Sequence, residues 1–151
     1  MKVKNIMTLD VVTVTPETDI AYAAKLLLEN EFNGLPVIDS AGNLVGILCR
    51  SDLIAQQKKF PIPTVFTLLD GFFPLRSIKR LEEEAQKIAA TRVSHAMTGD
   101  PVTVRPDTDV DEVAEIMIDQ HFHTLPVVDT NNRLVGVVGK KDLLESLFGK
   151  S

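Results

Sequence analysis

Apolar side chains recur at the spacing of one helix face in two places along the chain. The first series is Ile20, Ala23, Ala24, Leu27 and Leu28, and the second is Val110, Val113, Ala114, Met117 and Ile118. Positions i, i+3, i+4, i+7 and i+8 share one face, so each series predicts an amphipathic helix with a single buried stripe. Thr18 and Thr108 precede the two series at positions typical of helix N-caps, and Thr108 with Asp111 is typical of a capping box.

Runs rich in β-branched residues flank both predicted helices. Residues 11–14 and 102–104 precede the helices, and a proline stops each run soon afterwards. Two apolar runs then enclose a polar turn, at 35–38 and 44–48 in the first half and at 125–128 and 134–138 in the second. Each such pair predicts a β-hairpin, and a further helix is predicted to begin near Asp52 and near Asp142. The predicted order in each half is β-α-β-β-α, with a parallel connection across the first helix.

The two halves are copies of one unit at a fixed offset of 90 residues. Residues 3–54 align with residues 93–144 without a gap. A unit of about fifty residues is too small to bury a full core alone, so each copy is expected to pack against its twin. The predicted fold class is α+β, with two β-α-β-β-α repeats packed about a pseudo-twofold axis and two related clefts between them. The predicted domains are a first repeat at 1–54, an inter-repeat insertion at 55–92 and a second repeat at 93–151.

The insertion at 55–92 has no counterpart in the other half of the chain. It holds four of the seven phenylalanines, at Phe60, Phe66, Phe72 and Phe73. A later apolar series predicts an amphipathic helix, and it consists of Leu75, Ile78, Leu81, Ala85 and Ile88. Two interpretations stay open for this segment: a connector packed on the sheet, or a surface for a homodimer or a protein partner.

Charge and composition restrict the class of protein. The formal charge is −5 and the pI is near 5.2, which disfavours nucleic acid and membrane surfaces as partners. The single cysteine, Cys49, cannot form an intramolecular disulfide, which fits a reducing compartment. No apolar run approaches the ~18 residues that a transmembrane helix needs. We therefore expect a soluble cytoplasmic protein.

Motifs for catalysis and for metal binding are weak. The chain shows no Ser-His-Asp set, phosphate-binding P-loop or Gly-rich dinucleotide turn, so we predict that it is not an enzyme. His121 and His123 form a His-x-His pair, but no Cys or further His follows at ligand spacing, so no metal site is predicted. No cofactor is required by any motif in the chain.

Several repeated motifs together resemble the cystathionine-β-synthase (CBS) domain family. They are the Met-Thr opening with its Val-Thr-Val strand, the Leu-Pro-Val-Val/Ile-Asp strand, and the Leu-Val-Gly strand that leads to an Asp-Leu helix start. The resemblance covers both repeats and leaves out only the insertion. It implies that the repeats pack as a disc-shaped CBS-domain pair, often called a Bateman module. It also implies that adenosine derivatives bind in the clefts and that the module acts as a regulatory sensor.

The resemblance extends to the family's ribose-binding signature. That signature reads Gly, a hydrophobic residue, any residue, Thr or Ser, two residues of any kind, and Asp. It corresponds here to residues 46–52 and 136–142, in which Ile47 and Val137 fill the hydrophobic position. Both glycines and both aspartates are present, but the hydroxyl position is occupied by Cys49 and by Gly139. This departure bears on the ligand affinity of both clefts.

Nucleotide chemistry also fits these residue types. An ionised carboxylate, at Asp52 or Asp142, accepts two hydrogen bonds from a ribose diol, and free N–H groups at the next helix start favour a phosphate. Arg50, Lys140 and Lys141 are neighbouring cations. The resemblance further places the residues before each Leu-Pro close to base or phosphate, and these are Asn33, Gly34, His123 and Thr124. It also lets Thr18 and Thr108 contact ligand.

Structural alternatives stand beside these assignments. Asp52 and Asp142 also suit helix N-caps, which would need no ligand. Cys49 is either a small core residue or a thiol in the ligand cleft that senses oxidation. Asp142 is expected to contribute more to affinity than Asp52, because Lys140, Lys141 and His123 are grouped with it, whereas Arg50 and Asn33 are grouped with Asp52.

The predicted function is a regulatory ligand-binding module that senses AMP, ADP, ATP or S-adenosylmethionine in the clefts between the repeats. The alternative is a protein-interaction scaffold whose nucleotide sites are vestigial, because the hydroxyl is missing from both signatures. We also expect a homodimer, and a protein partner that the sequence does not identify.

Overall fold

The computed structural model describes residues 1–59 and 91–149, with side chains for 1–56 and 91–149. The first half contains a 3₁₀ helix at Val3–Asn5, helix α1 at Ile20–Glu29, strands β1 at Gly34–Ile38 and β2 at Leu44–Cys49, and helix α2 at Arg50–Lys59. The second half contains α3 at Val93–Ala96, β3 at Thr98–Gly99, α4 at Val110–Gln120, β4 at Thr124–Val128, β5 at Leu134–Gly139 and α5 at Lys140–Phe148. The predictions for the phenylalanines and the helical series within 60–90 lie outside the described residues.

The two hairpins are confirmed. β1 and β2 pair antiparallel with Leu35 opposite Leu48, and β4 and β5 pair in the same register with Leu125 opposite Val138. Asp39 stabilises the first turn, because its Oδ1 accepts hydrogen bonds from the backbone N–H groups of Ala41 and Asn43, both at 2.9 Å. Asp129 makes the equivalent bonds in the second turn.

The strand predicted before each first helix is reduced to a single bridge residue. Val14 forms a single parallel bridge with Val37, and Val104 forms one with Val127. The parallel direction is confirmed, but the run at 11–14 is not a regular strand. Val14 is buried while Val12 is 38% exposed. The proline two residues after each bridge lacks the N–H that would continue the pairing.

Three of the five predicted positions in each first helix are buried, one alanine in each is half-buried and the last position is exposed. The buried side chains are Ile20, Ala23 and Leu27 in α1, and Val110, Val113 and Met117 in α4. Leu28 and Ile118 are 67% and 72% exposed, so their predicted burial is wrong. At 3.6 residues per turn, position i+8 lies about 80° around the helix from position i, which is at the edge of the buried arc.

Thr18 and Thr108 are not N-caps, which corrects the prediction. The N-cap residues are Asp19 and Asp109, one position later. The Thr18 hydroxyl accepts a hydrogen bond from the Thr15 N–H at 3.0 Å and thus closes the turn before the helix, as Thr108 does in the second half. Asp19 makes no side-chain cap bond and pairs with Arg92 from the other half.

The opening segments of the two halves are exchanged. Val3 is fully buried in the core built by the second half, and Val93 is fully buried in the core of the first half. Lys2 contacts Asp109 at 2.7 Å, as its counterpart Arg92 contacts Asp19. Each packing unit therefore contains chain from both repeats, and neither sequence repeat matches a packing unit residue for residue.

The hairpin tips meet on the pseudo-twofold axis. Asn43 bridges Arg133, and these two residues are equivalent under the 90-residue offset. Asn132 donates from Nδ2 to the Leu44 carbonyl at 2.9 Å and so fastens the two tips together. The clefts lie on either side of this axis.

Candidate ligand-binding clefts

Two clefts open between the halves, and each contains one aspartate of the ribose signature. The larger, which we call the Asp52 cavity, has a volume of about 500 Å³. Its lining is Asn33, Ile47, Cys49, Arg50, Ser51, Asp52 and Ile54 from the first half and Thr98, residues 100–102 and residues 120–126 from the second. The smaller, the Asp142 cleft, has a volume of about 190 Å³. Its lining is Thr8, residues 10–12, residues 31–34 and Pro36 from the first half and His123, Thr124, Val137, Gly139, Lys140, Lys141 and Asp142 from the second.

Asp52 and Asp142 lie in the first turn of a helix, which corrects their assignment as N-caps. Helices α2 and α5 begin two residues earlier, at Arg50 and Lys140. The Oδ2 atom of Asp52 accepts a hydrogen bond from the Cys49 N–H at 2.8 Å, and Asp142 accepts the equivalent bond from the Gly139 N–H at 2.8 Å. The carboxylates therefore satisfy the N–H before the helix from inside the first turn.

The second carboxylate oxygen faces the opening segment of the other half. Thr98 donates its hydroxyl to Oδ1 of Asp52 at 3.2 Å, and Thr8 donates to Oδ1 of Asp142 at 3.5 Å. Both carboxylates are half-buried and held in place by donors on two sides. Each is thus preorganised to accept further hydrogen bonds from a diol.

Glycine in the ribose signature allows this approach. A Cβ atom at Gly46 would lie 2.8 Å from the Met97 sulfur and 2.9 Å from the Thr98 carbonyl oxygen. A Cβ atom at Gly136 would lie 2.9 Å from the Thr8 carbonyl oxygen. The Met-Thr segment of one repeat therefore crosses the signature strand of the other at a distance that only glycine permits.

Cys49 ends β2 in the wall of the Asp52 cavity, where it is half-buried. Burial raises the pKa of its thiol to about 11, and the Asp52 carboxylate contributes to the rise. The thiol is therefore protonated at neutral pH, which makes it a poor nucleophile and a poor oxidation sensor. Cys49 supplies shape and apolar surface at the position where the family signature has a hydroxyl.

The residues before each Leu-Pro line the clefts, and most of them line both. His123 and Thr124 line the Asp142 cleft, with which His123 was grouped from the sequence, and they also line the Asp52 cavity. Asn33 likewise lines both clefts, whereas Gly34 lines the Asp142 cleft. Three of these four residues, Asn33, His123 and Thr124, are therefore shared by the two clefts.

The cations differ in how they are held. Arg50 donates from Nε to the Phe32 carbonyl at 2.8 Å, which fixes its guanidinium at the Asp52 cavity. Lys140 and Lys141 are exposed at the edge of the Asp142 cleft. Thr18 and Thr108 are not among the described residues that line either cleft, so the ligand contact implied for them has no support from the cleft geometry.

Several cleft residues were not identified from the sequence, among them two threonines and two aspartates that recur in both repeats. Thr8 and Thr98 hold the aspartates, and Asp10 and Asp100 line the Asp142 cleft and the Asp52 cavity. Their recurrence at the same offset as the signature is the signal that would have found them.

Metal binding and membrane insertion find no support in the described part of the chain. Within residues 1–59 and 91–149, no group of three or more His, Cys, Asp or Glu side chains is placed to hold a metal ion. Within the same ranges, no helix has the length and apolar character needed to cross a bilayer.

Comparison with known families places both halves in one family. The CBS domain model matches residues 3–59 and residues 93–149, which together make up most of the chain. A CBS domain-containing protein of Dictyostelium discoideum is 34% identical over 146 residues, which cover 97% of this chain and 90% of that protein.

Solved structures show the same fold. The crystal structure of CBSX2 from Arabidopsis thaliana in complex with AMP is 27% identical and has a TM-score of 0.74, with 97% of this chain and 96% of that chain covered. This chain spans 57% of the full CBSX2 protein. The CBS domain pair of protein MJ0100, in complex with 5′-methylthioadenosine and S-adenosyl-L-methionine, is 28% identical with a TM-score of 0.71, and the match covers 100% of this chain and 98% of that one.

The fold of these structures is the predicted one, an α+β pair of repeats related by a pseudo-twofold axis. The repeated family match, the shared fold and the two ribose signatures lead to one assignment. The chain belongs to the CBS domain family and carries a pair of CBS domains.

Proposed function

We propose that the protein is a regulatory module that senses an adenosine derivative bound in the Asp52 cavity. One observation carries the proposal: a half-buried carboxylate, fixed by the Cys49 N–H and the Thr98 hydroxyl, lines a cavity of about 500 Å³. Small-molecule sites are typically ~300–1,000 Å³, mostly apolar, with a few fixed polar groups. Ile47, Val102 and Leu125 supply apolar surface for a base, and Asp52 supplies acceptors for a ribose diol.

The relatives support the choice of ligand class. CBSX2 was solved with AMP, and MJ0100 was solved with 5′-methylthioadenosine and S-adenosyl-L-methionine. All three ligands contain an adenosine moiety and differ at the 5′ position. A site for the shared adenosine moiety therefore needs a base pocket and a diol acceptor, and this cavity offers both.

The cavity wall also provides a route from ligand to signal. Asp52 and Arg50 belong to the first half, whereas Thr98, His121 and His123 belong to the second. A ligand that contacts both halves changes the free energy of any rearrangement between them, by its difference in affinity for the two states. Regulation needs no catalysis by the module, and we propose that it has none.

A thermal shift with a nucleoside series tests the proposed function. Ligand at about 100 times its dissociation constant stabilises the fold by about 2.7 kcal/mol. For a chain of this size, each kcal/mol raises the melting temperature by roughly 2–4 °C. We expect a rise of about 5–10 °C with at least one of adenosine, AMP, ADP, ATP and S-adenosylmethionine, and a smaller rise with guanosine and cytidine controls. No rise with any adenosine derivative at millimolar concentration would contradict the proposal.

The exposed apolar side chains of the described helices favour assembly with another chain. Several large apolar side chains of the described helices are exposed, namely Tyr22, Leu28, Ile54, Ile118, Leu144, Leu147 and Phe148. Exposed apolar side chains that lie together on one surface are typical of protein interfaces. We propose a homodimer in the cytoplasm that transmits the signal to a protein partner, with a pure interaction scaffold as the second candidate. Light scattering at tens of micromolar, with and without AMP, checks this: a monomer under both conditions would contradict the homodimer.

A further inference from the structure

We infer that the two clefts are not equivalent. Each chain binds one adenosine derivative, which carries a single phosphate, in the Asp52 cavity. His121 is one of the residues that contact this phosphate. The inference rests on the proposed function and specifies the ligand class and the number of sites. It reverses the expectation that Asp142 is the more important aspartate.

The volumes of the two clefts favour a single ligand site in each chain. The Asp52 cavity, at about 500 Å³, lies within the usual range for small-molecule sites of ~300–1,000 Å³. The Asp142 cleft, at about 190 Å³, lies below that range. The same aspartate and the same hydrogen bonds are present in both, so the difference arises from the residues around them.

Glu31 and His121 are the most informative of these residues. They occupy equivalent positions and share a left-handed backbone, with φ of 55° and 58°. Glu31 lines the Asp142 cleft, whereas His121 lines the Asp52 cavity. A carboxylate in a cleft repels a phosphate, whereas an imidazole offers an N–H donor to it. Arg50 is set against two aspartates in the cavity, and Lys140 and Lys141 are set against three carboxylates in the cleft, so both linings have the same formal charge. Glu31 thus offsets one of the two lysines, whereas His121 adds a donor without a negative charge.

Arg50 sets the number of phosphates. Its Nε atom is used by the Phe32 carbonyl, and the remaining guanidinium donors are suited to bidentate contact with one phosphate. Asp52 and Asp100 are carboxylates in the same lining, and the described lining residues include no second Arg or Lys. A diphosphate or triphosphate would therefore place extra negative charge near carboxylates without a further cation.

Calorimetric titration with AMP and with adenosine tests the inference through matched variants. For the wild type we expect one AMP per chain, bound more tightly than ADP, ATP or S-adenosylmethionine. Asp52→Asn should weaken AMP binding about 10- to 150-fold, the usual effect of losing a charged hydrogen bond. Asp142→Asn, which makes the same chemical change in the other cleft, should leave the affinity within about twofold.

His121→Glu tests the phosphate contact. The chain already carries Glu at the equivalent left-handed position, so the substitution should be tolerated by the backbone. It should weaken AMP about tenfold or more by charge repulsion while adenosine binds within about threefold of wild type. His121→Gln should be milder than His121→Glu for AMP, and Glu31→Gln should leave AMP binding unchanged.

Distinct outcomes would overturn the inference and the proposed function. Two equal binding events, a loss confined to Asp142→Asn, tighter binding of ATP or S-adenosylmethionine than of AMP, or equal losses of AMP and adenosine in His121→Glu would overturn the inference alone. No binding of any adenosine derivative to the wild type would overturn both.

Discussion

At the scale of single residues, Asp52 shows that one carboxylate can hold a helix start and line a cavity at the same time. Its Oδ2 atom accepts the Cys49 N–H, and its Oδ1 atom meets the Thr98 hydroxyl at the cavity. The residue pattern alone presents the two roles as competing explanations. In the structure the helix begins two residues earlier than the sequence indicates, so one oxygen atom holds the N–H before the helix and the other accepts the Thr98 hydroxyl.

Gly46→Ala is predicted to destabilise the protein. The new Cβ would lie 2.8 Å from the Met97 sulfur and 2.9 Å from the Thr98 backbone oxygen, and backbone cannot move aside cheaply. We expect a loss of about 1–3 kcal/mol in the free energy of unfolding, measured by urea denaturation. Gly99→Ala is the matched control, because a Cβ there meets nothing within 4 Å. Equal losses in the two variants would contradict the close approach of the opening segment.

At the scale of elements, the hairpins were predictable and the first strands were not. A hairpin is specified locally, by apolar runs and by turn residues such as Asp39 that bond their own backbone. The run before α1 has an equally β-rich composition, but its pairing depends on how far it follows the edge strand β1. Only Val14 reaches a partner, and that contact is tertiary.

The aspartates of the two hairpin turns predict that the protein is less stable in acid. Backbone N–H donors, first that of Asn43, hold the pKa of Asp39 below its usual value. The backbone N–H of Arg133 likewise holds the pKa of Asp129 below its usual value. A carboxylate with a lowered folded pKa stabilises the fold above its unfolded pKa of about 3.9, and this stabilisation is lost as the pH falls through the folded pKa. We expect the urea concentration at the unfolding midpoint to decrease as the pH is lowered below about 4. The Asp39→Asn, Asp129→Asn double variant should show a flatter pH profile, and an identical profile would contradict the assignment.

At the scale of the whole molecule, the repeat predicted the fold and only part of the composition of each cleft. A fixed offset implies a pseudo-twofold axis and two clefts, and both are present. His123 lines the Asp142 cleft, with which it was grouped from the sequence, but it also lines the Asp52 cavity. Spacing along the chain does not reveal which residues are shared by the two clefts. Tertiary sharing of this kind has no local signal.

Exchange of the opening segments predicts that the described halves unfold together. Val3 and Val93 are both fully buried, each in the core of the other half. Val3→Ala removes two methyl groups from a packed core and should cost about 1–3 kcal/mol, with Val93→Ala similar. Val12→Ala is the control, since Val12 is 38% exposed and should cost less.

Because Val3 ties the first half to the second, Val3→Ala should lower the melting temperature of the whole molecule while the transition stays single. Scanning calorimetry checks this through the ratio of calorimetric to van't Hoff enthalpy, which is near one for a two-state transition. If the packing units were independent, Val3→Ala would melt the second-half core early and leave the first at its original temperature. Two resolved transitions in that variant would contradict the exchange as a source of cooperativity, whereas one shifted transition means that each half is stable only with the segment its twin provides.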